Sequence, residues 1–248
     1  MLQTAIVYTL LAFGMFYFTK MSSRFVGVIS NIFYWIPILL FTIVFGIRYG
    51  VGVDYFNYVE IYEFWNTGSY SEERFELFPS LIFSFCDKFL LSPVFIFVVF
   101  SFLDIYFIYL AFKERKIVLA YSILMFIFLG VGIWSFMNTI RQGVAICIFL
   151  YSLLFICNKK FIYYCIFTLC AFFFHRSALI LLPLYFLFYS GQVYCKNRIF
   201  QFVLLSFSAC FSMLGVGQYL SNFFDGIILF LDIFLLHLII LLHLLFLH

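Results

Sequence analysis

The chain has 248 residues, of which 67% are apolar and only 10% charged, and its mean hydropathy is +1.16. An average soluble domain is nearer half apolar and a quarter charged, so this chain has too little polar surface to cover a body in water. That excludes a secreted domain, a cytosolic enzyme and a disordered tail, and leaves an all-α polytopic membrane protein. The net charge of +3 says little about partners, and no nucleic acid is expected among them.

A helix needs about 20 apolar residues to cross a hydrocarbon core about 30 Å thick. Apolar runs at 3–19, 26–47, 93–112, 117–137, 142–157, 199–219 and 224–247 read as spans. The first positive charge, Lys20, follows the first run, whereas a secretory signal carries its charge first. That run is therefore read as a span too. Residues 48–76 form the sizeable polar loop. Within it, 54–66 predicts a short amphipathic helix with Tyr55, Tyr58, Tyr62 and Trp65 at helical spacing. Such an aromatic face suits the lipid–water interface. Segment 77–91 is apolar but short, and carries Asp87 and Lys88. The run 161–190 is interrupted at His175-Arg176-Ser177 and reads as two short helices, 161–174 and 177–190. Seven cysteines are scattered through apolar runs with no CxxC pair, as expected of small hydrophobes.

Basic residues set orientation. Nine of them lie in four connections: Lys20/Arg24, Lys113/Arg115/Lys116, Lys159/Lys160 and Lys196/Arg198. All four connections are placed inside. The loop 48–76 and the turns at Arg141 and His175-Arg176 then fall outside. Parity requires that 77–91 does not cross, so it is read as a re-entrant or interfacial helix. The expectation is about nine transmembrane helices in a single membrane domain, residues 1–248, with the N-terminus outside.

In so apolar a chain, polar groups at membrane depth are expensive and mark candidate sites. Arg48-Tyr49-Gly50-Val51-Gly52-Val53-Asp54-Tyr55 closes the second span. In the next motif, Asn138, Arg141, Gln142 and Ala145 share one helix face. His175-Arg176-Ser177 breaks the long apolar run. Asp87/Lys88 and Asp104 read more readily as an ion pair and a packing contact. The first three groups fall on the same outer side. Arginine forms a planar fork that grips phosphate. Several arginines and a histidine around a wet cavity predict a lipid-linked phosphate or pyrophosphate substrate. No metal-binding cluster is visible and no cofactor is expected.

Three stretches carry a resemblance. Phe45-Gly46-Ile47-Arg48-Tyr49-Gly50-Val51-Gly52-Val53-Asp54-Tyr55-Phe56-Asn57-Tyr58 resembles the signature of the EpsG family, the Wzy-like bacterial polysaccharide polymerases. Asn138-Thr139-Ile140-Arg141-Gln142-Gly143-Val144-Ala145 and Phe174-His175-Arg176-Ser177-Ala178-Leu179 continue it, with the Asn158-Lys159-Lys160 connection between them. Their order and spacing match over residues 45–183. The resemblance implies a multi-pass glycosyltransferase of the bacterial inner membrane. It would join oligosaccharide repeat units carried on undecaprenyl diphosphate at the outer face, making O-antigen, capsule or exopolysaccharide. The partners so implied are the undecaprenyl-diphosphate-linked oligosaccharide, membrane lipid and a chain-length regulator. Competing readings are a flippase for the same lipid-linked glycan and an O-antigen ligase-like transferase.

The chemistry of such a reaction suggests roles. Arg48, Arg141 and Arg176 would stabilise the departing diphosphate. His175 is the candidate general base and Asp54 the runner-up. Asn138, Gln142, Tyr49, Tyr55 and Tyr58 complete the expected binding set, and Tyr62 and Trp65 are further candidates for stacking on sugars. In two respects the chain departs from the family pattern. Family members often show Glu directly before Pro after the outer loop, whereas here Leu77 and Phe78 separate Glu76 from Pro79, so Glu76 receives no role. Family members also usually look longer, and the Leu/His-rich end from Asp232 to His248 reads as a truncation or frameshift product.

Overall fold

The computed structural model describes residues 2–52, 54–67, 75–113, 120 and 137–188. Eight α-helices and one 3-10 helix, joined by turns, are found among the described residues, and none of these residues is in a strand. They are α1 (Leu2–Arg24), α2 (Val28–Gly46), α3 (Tyr55–Asn66), α4 (Leu77–Lys88), α5 (Val94–Phe112), α6 (Ile140–Cys157), α7 (Phe161–Phe174), the 3-10 helix Arg176–Leu181, and α8 (Leu184–Phe188). By length and composition α2, α5 and α6 can each cross a membrane. They match the expected spans at 26–47, 93–112 and 142–157. The spans expected at 117–137, 199–219 and 224–247 lie outside the described residues.

The long helices pack in series: α1 on α2, α2 on α5, α5 on α6, and α6 on α7. Large rings fill the shared core, with Phe41, Phe45, Tyr109, Phe149 and Tyr164 all but sealed off. Outward-facing positions such as Leu10, Phe13, Ile32, Leu39 and Ile43 are exposed and apolar. That arrangement suits a lipid solvent, which rewards close packing and internal hydrogen bonds rather than apolar burial. Both appear inside. Thr19 and Tyr109 hydroxyls lie 2.6 Å apart. At Gly46 a Cβ would fall 2.8 Å from Val98 Cα, so only glycine lets α2 and α5 approach this closely.

A second core lies under α3. Its aromatic face does not meet the lipid interface, contrary to the expectation from spacing. Tyr55, Tyr58, Tyr62 and Trp65 are all buried against Phe75, Phe83, Phe97 and Phe100. The reason is local: α4 and the first half of α5 offer an aromatic ledge that fits them. Tyr55 stacks on Phe97 at 4.7 Å, and the Tyr62 hydroxyl donates to the Leu91 carbonyl at 2.8 Å. The helix α4 has 12 residues and rises about 18 Å, too short for a full crossing.

Chain directions bring the informative ends together. Met137, just before α6, meets Tyr8 near the start of α1 and Arg48 just past α2. At the opposite end, Lys113 sits 5.8 Å from the Tyr34 ring, and the turn Asn158–Lys160 joins α6 to α7. The break at His175 is a hairpin apex. His175 is extended (φ −155°, ψ 122°), and the chain then runs back beside α7. The Tyr164 hydroxyl donates to the Leu181 carbonyl at 2.5 Å, and the Tyr164 and Tyr185 rings lie 5.5 Å apart. The two short helices expected on either side of the break are therefore present, the second opening as a 3-10 helix.

The turn after α2 needs its glycine. Gly52 has φ +103°, and a Cβ there would lie 2.7 Å from the Met137 carbonyl oxygen and 3.2 Å from Asn138 Oδ1. Gly52→Ala is expected to cost about 1–3 kcal/mol through backbone strain alone. The clash adds to this. A lowered Tm and reduced membrane yield would check it.

Candidate functional site

The first motif folds around Arg48. Its guanidinium is buried and donates to three carbonyls: Nε to Val51 at 3.2 Å, Nη1 to Phe45 at 2.9 Å and Nη2 to Met137 at 3.3 Å. The group also lies 5.3 Å from the Phe97 ring centre. Burial pulls its pKa below the ordinary value, opposed by Tyr8, Asp104 and Tyr55. Arg48 thus ties the end of α2 to its own turn and to Met137, three residues before α6. It joins the first motif to the second by hydrogen bonds rather than presenting an open fork.

The second cluster is charged and centres on Glu76, the residue preceding α4. Arg141, in the first turn of α6, donates from Nη1 to Glu76 Oε2 at 2.5 Å and from Nε to the Tyr58 hydroxyl at 3.2 Å. Its guanidinium lies over the Phe75 ring at 4.5 Å, a cation–π contact. His175 Nδ1 lies 3.4 Å from Glu76 Oε1. One carboxylate therefore spans Arg141 and His175, two residues from different motifs. The Arg141 side chain is 26% exposed and so remains within reach of a ligand, whereas both ring nitrogens of His175 are buried.

The electrostatics of Glu76 follow from these partners. Burial works against its ionised form, yet the hydrogen bond with His175 and the charge of Arg141 outweigh it and hold the pKa down to about 2. A depressed carboxylate stabilises the fold above its unfolded value near 4.5, and that contribution fades as pH falls towards 2. It is on the order of 3 kcal/mol. Wild-type protein in detergent should lose Tm over this window by a step that Glu76→Gln lacks. Thermal melts of both proteins from pH 7 to pH 2 would check it.

The structure distributes the other predicted residues unevenly. Tyr58 joins the cluster through Arg141. Tyr55 is spent on Phe97, and Tyr49 is 81% exposed beside Tyr55 and Phe56. Asp54 precedes α3, where its carboxylate accepts from Asn57 at 3.3 Å, one turn before Tyr58. Asn138 flanks Gly52. Arg176 is exposed at the hairpin apex beside His175. Gln142 and Ser177, next to the cluster, are buried, and neither Gln142 Nε2 nor Ser177 Oγ meets a hydrogen-bond partner among the described residues. Glu76 is the residue that sequence reasoning passed over. Its available signal was the pattern of a carboxylate followed by Pro79 at the start of an apolar helix. No group of three metal-ligating side chains occurs among the described residues.

An apolar helical bundle that gathers an arginine, a histidine and a carboxylate at one end suits a membrane protein with a polar cluster at that end of its helices. The chain belongs to the EpsG family, whose model matches residues 31–244. The match contains all three motifs and Glu76, and continues into the Leu/His-rich end. No curated protein and no solved structure matches the chain. EpsG membership indicates a polysaccharide polymerase-like function acting on a lipid-linked glycan.

Proposed function

We propose that the chain is a polysaccharide polymerase. It joins oligosaccharide repeat units carried on undecaprenyl diphosphate at the outer face of the bacterial inner membrane, as a single domain of about nine spans. The carrying observation is the bridge from Glu76 to both Arg141 and His175, where the ends of α4, α6 and α7 meet. The acceptor sugar hydroxyl attacks the anomeric carbon of the donor chain, whose bond to the diphosphate oxygen breaks. His175 takes the hydroxyl proton, with Asp54 as the second candidate. The leaving diphosphate carries the displaced electron pair and gains negative charge. Arg141 and the positive end of α6 stabilise it, since preorganised charge acts strongly in a site shielded from water. Arg176 at the apex adds a further positive charge. Arg48 serves the same end indirectly by fixing the turn that abuts Met137.

The test is a deletion strain read by gel analysis of its surface glycan. Loss of polymerase leaves single repeat units at the surface, restored to long chains by the gene in trans. Surface glycan absent altogether would indicate a ligase, and precursor trapped on the inner side a flippase. Either result would overturn the reading.

A further inference from the structure

We propose that Tyr58 is a positioning residue that sets which edge of the Arg141 guanidinium a substrate meets. The inference rests on Arg141 as the group that receives the diphosphate, but its first measurement does not. The spacing within α3 makes Tyr58 a candidate binding ring, yet the structure buries that ring in the second core and leaves the residue only 7% exposed. What Tyr58 brings to the cluster is its hydroxyl, which accepts from Arg141 Nε at 3.2 Å. Glu76 Oε2 accepts from Nη1, and the Phe75 ring covers one face of the guanidinium at 4.5 Å. Nη2 is the nitrogen left without a hydrogen bond among the described residues. The side-on fork of a guanidinium pairs Nε with Nη2. Tyr58 holds the Nε half of it, so an anionic oxygen meets Arg141 at Nη2.

A hydroxyl suits this task, because the guanidinium can only donate and the phenol oxygen can accept. Burial pushes the Tyr58 phenol above its ordinary value, against the pull of Arg141, so it stays neutral and adds no charge that would repel a diphosphate. Its helix is pinned on both sides. One turn earlier Tyr55 stacks on Phe97 at 4.7 Å, and one turn later the Tyr62 hydroxyl donates to the Leu91 carbonyl at 2.8 Å. The hydroxyl therefore reaches Arg141 on a fixed support. Packing and positioning make different forecasts for Tyr58→Phe, which keeps the ring but leaves Nε–H without its acceptor. If Tyr58 only packs, any loss is the same whatever stands at position 141. If it positions, the loss disappears once the guanidinium is gone, since lysine has no forked edge to orient.

The first measurement uses full-length protein labelled with 15N-arginine in detergent, and reads the water exchange of each Nε–H by NMR. Arg141→Lys identifies the Arg141 signal. Arg48 Nε, bonded to the Val51 carbonyl at 3.2 Å, is the internal reference. The Arg141 Nε–H should exchange about 10- to 100-fold faster in Tyr58→Phe than in wild type, the worth of a hydrogen bond to a charged group, with Arg48 unchanged. The second measurement is polymerisation per folded protein on lipid-linked repeat units, with Tm alongside. Tyr58→Phe should lower it by about the same 10- to 100-fold, mainly in kcat. The double variant with Arg141→Lys should fall no further than Arg141→Lys alone. Unchanged Nε exchange in Tyr58→Phe, or equal fold-losses in the arginine and lysine backgrounds, overturns the proposal. Exchange that quickens as expected with polymerisation intact upholds the hold of Tyr58 on Arg141 and overturns Arg141 as the receiver of the diphosphate. The two readings therefore fail separately.

Discussion

Arg141→Ala is expected to lower polymer output by about 10²- to 10³-fold, the usual cost of removing one preorganised group that meets developing negative charge. The geometry makes this the most demanding position. Arg141 is held by Tyr58, Glu76 and the Phe75 ring at once, yet its side chain stays 26% exposed. A guanidinium has five N–H donors, and two of these contacts leave room for phosphate oxygens. Lysine offers a point charge in place of the fork. Arg141→Lys should therefore recover only a minor share of activity, while keeping the charge that Glu76 needs. Single-repeat glycan at the surface, with protein level and Tm near wild type in the lysine variant, would be the signature. Long-chain glycan from Arg141→Ala at normal protein level would sink the role.

His175→Ala is expected to cost about 10²- to 10⁴-fold, the range for losing a positioned general base. His175→Gln is the sharper variant. Its side-chain NH2 can still donate towards Glu76 Oε1, and the residue remains at the apex of the hairpin. The fold should survive and the proton transfer should not. A kinetic comparison on lipid-linked repeat units, with Tm measured alongside, separates the two effects. Equal loss of Tm and activity would reduce His175 to a packing residue.

The spans at α2, α5 and α6 were legible in the sequence because lipid imposes a length and an apolar composition on any crossing helix. The break at His175 was legible for the same reason: three polar residues have no business in a run of that depth. Both signals are local. Glu76 was not legible, because its meaning comes from partners 65 and 99 residues away along the chain. No spacing rule connects them, and the two residues between Glu76 and Pro79 masked the expected pattern. The face of α3 shows a different limit. Periodicity established that Tyr55, Tyr58, Tyr62 and Trp65 point one way. It could not say whether that way led to lipid, sugar or protein, since aromatic rings suit all three. The three-carbonyl clamp of Arg48 was hidden likewise, because backbone acceptors leave no mark in a sequence.

The hairpin at His175 has a consequence for the bilayer itself. From their shared floor at residues 157–161, the 18 residues of α6 rise about 27 Å, and the 14 of α7 about 21 Å. The apex therefore stands about 6 Å below the head of its neighbour. The start of α4 packs beside this step, with Phe78 5.1 Å from Phe174, and a leaflet that met the rest of it would thin or admit water to match. A diphosphate headgroup at that notch would reach Arg141 and His175 sideways from its own leaflet, with its polyprenyl tail still dissolved in hydrocarbon. The work of bringing a charged group to that depth would then be done once, by folding, and not at every turnover.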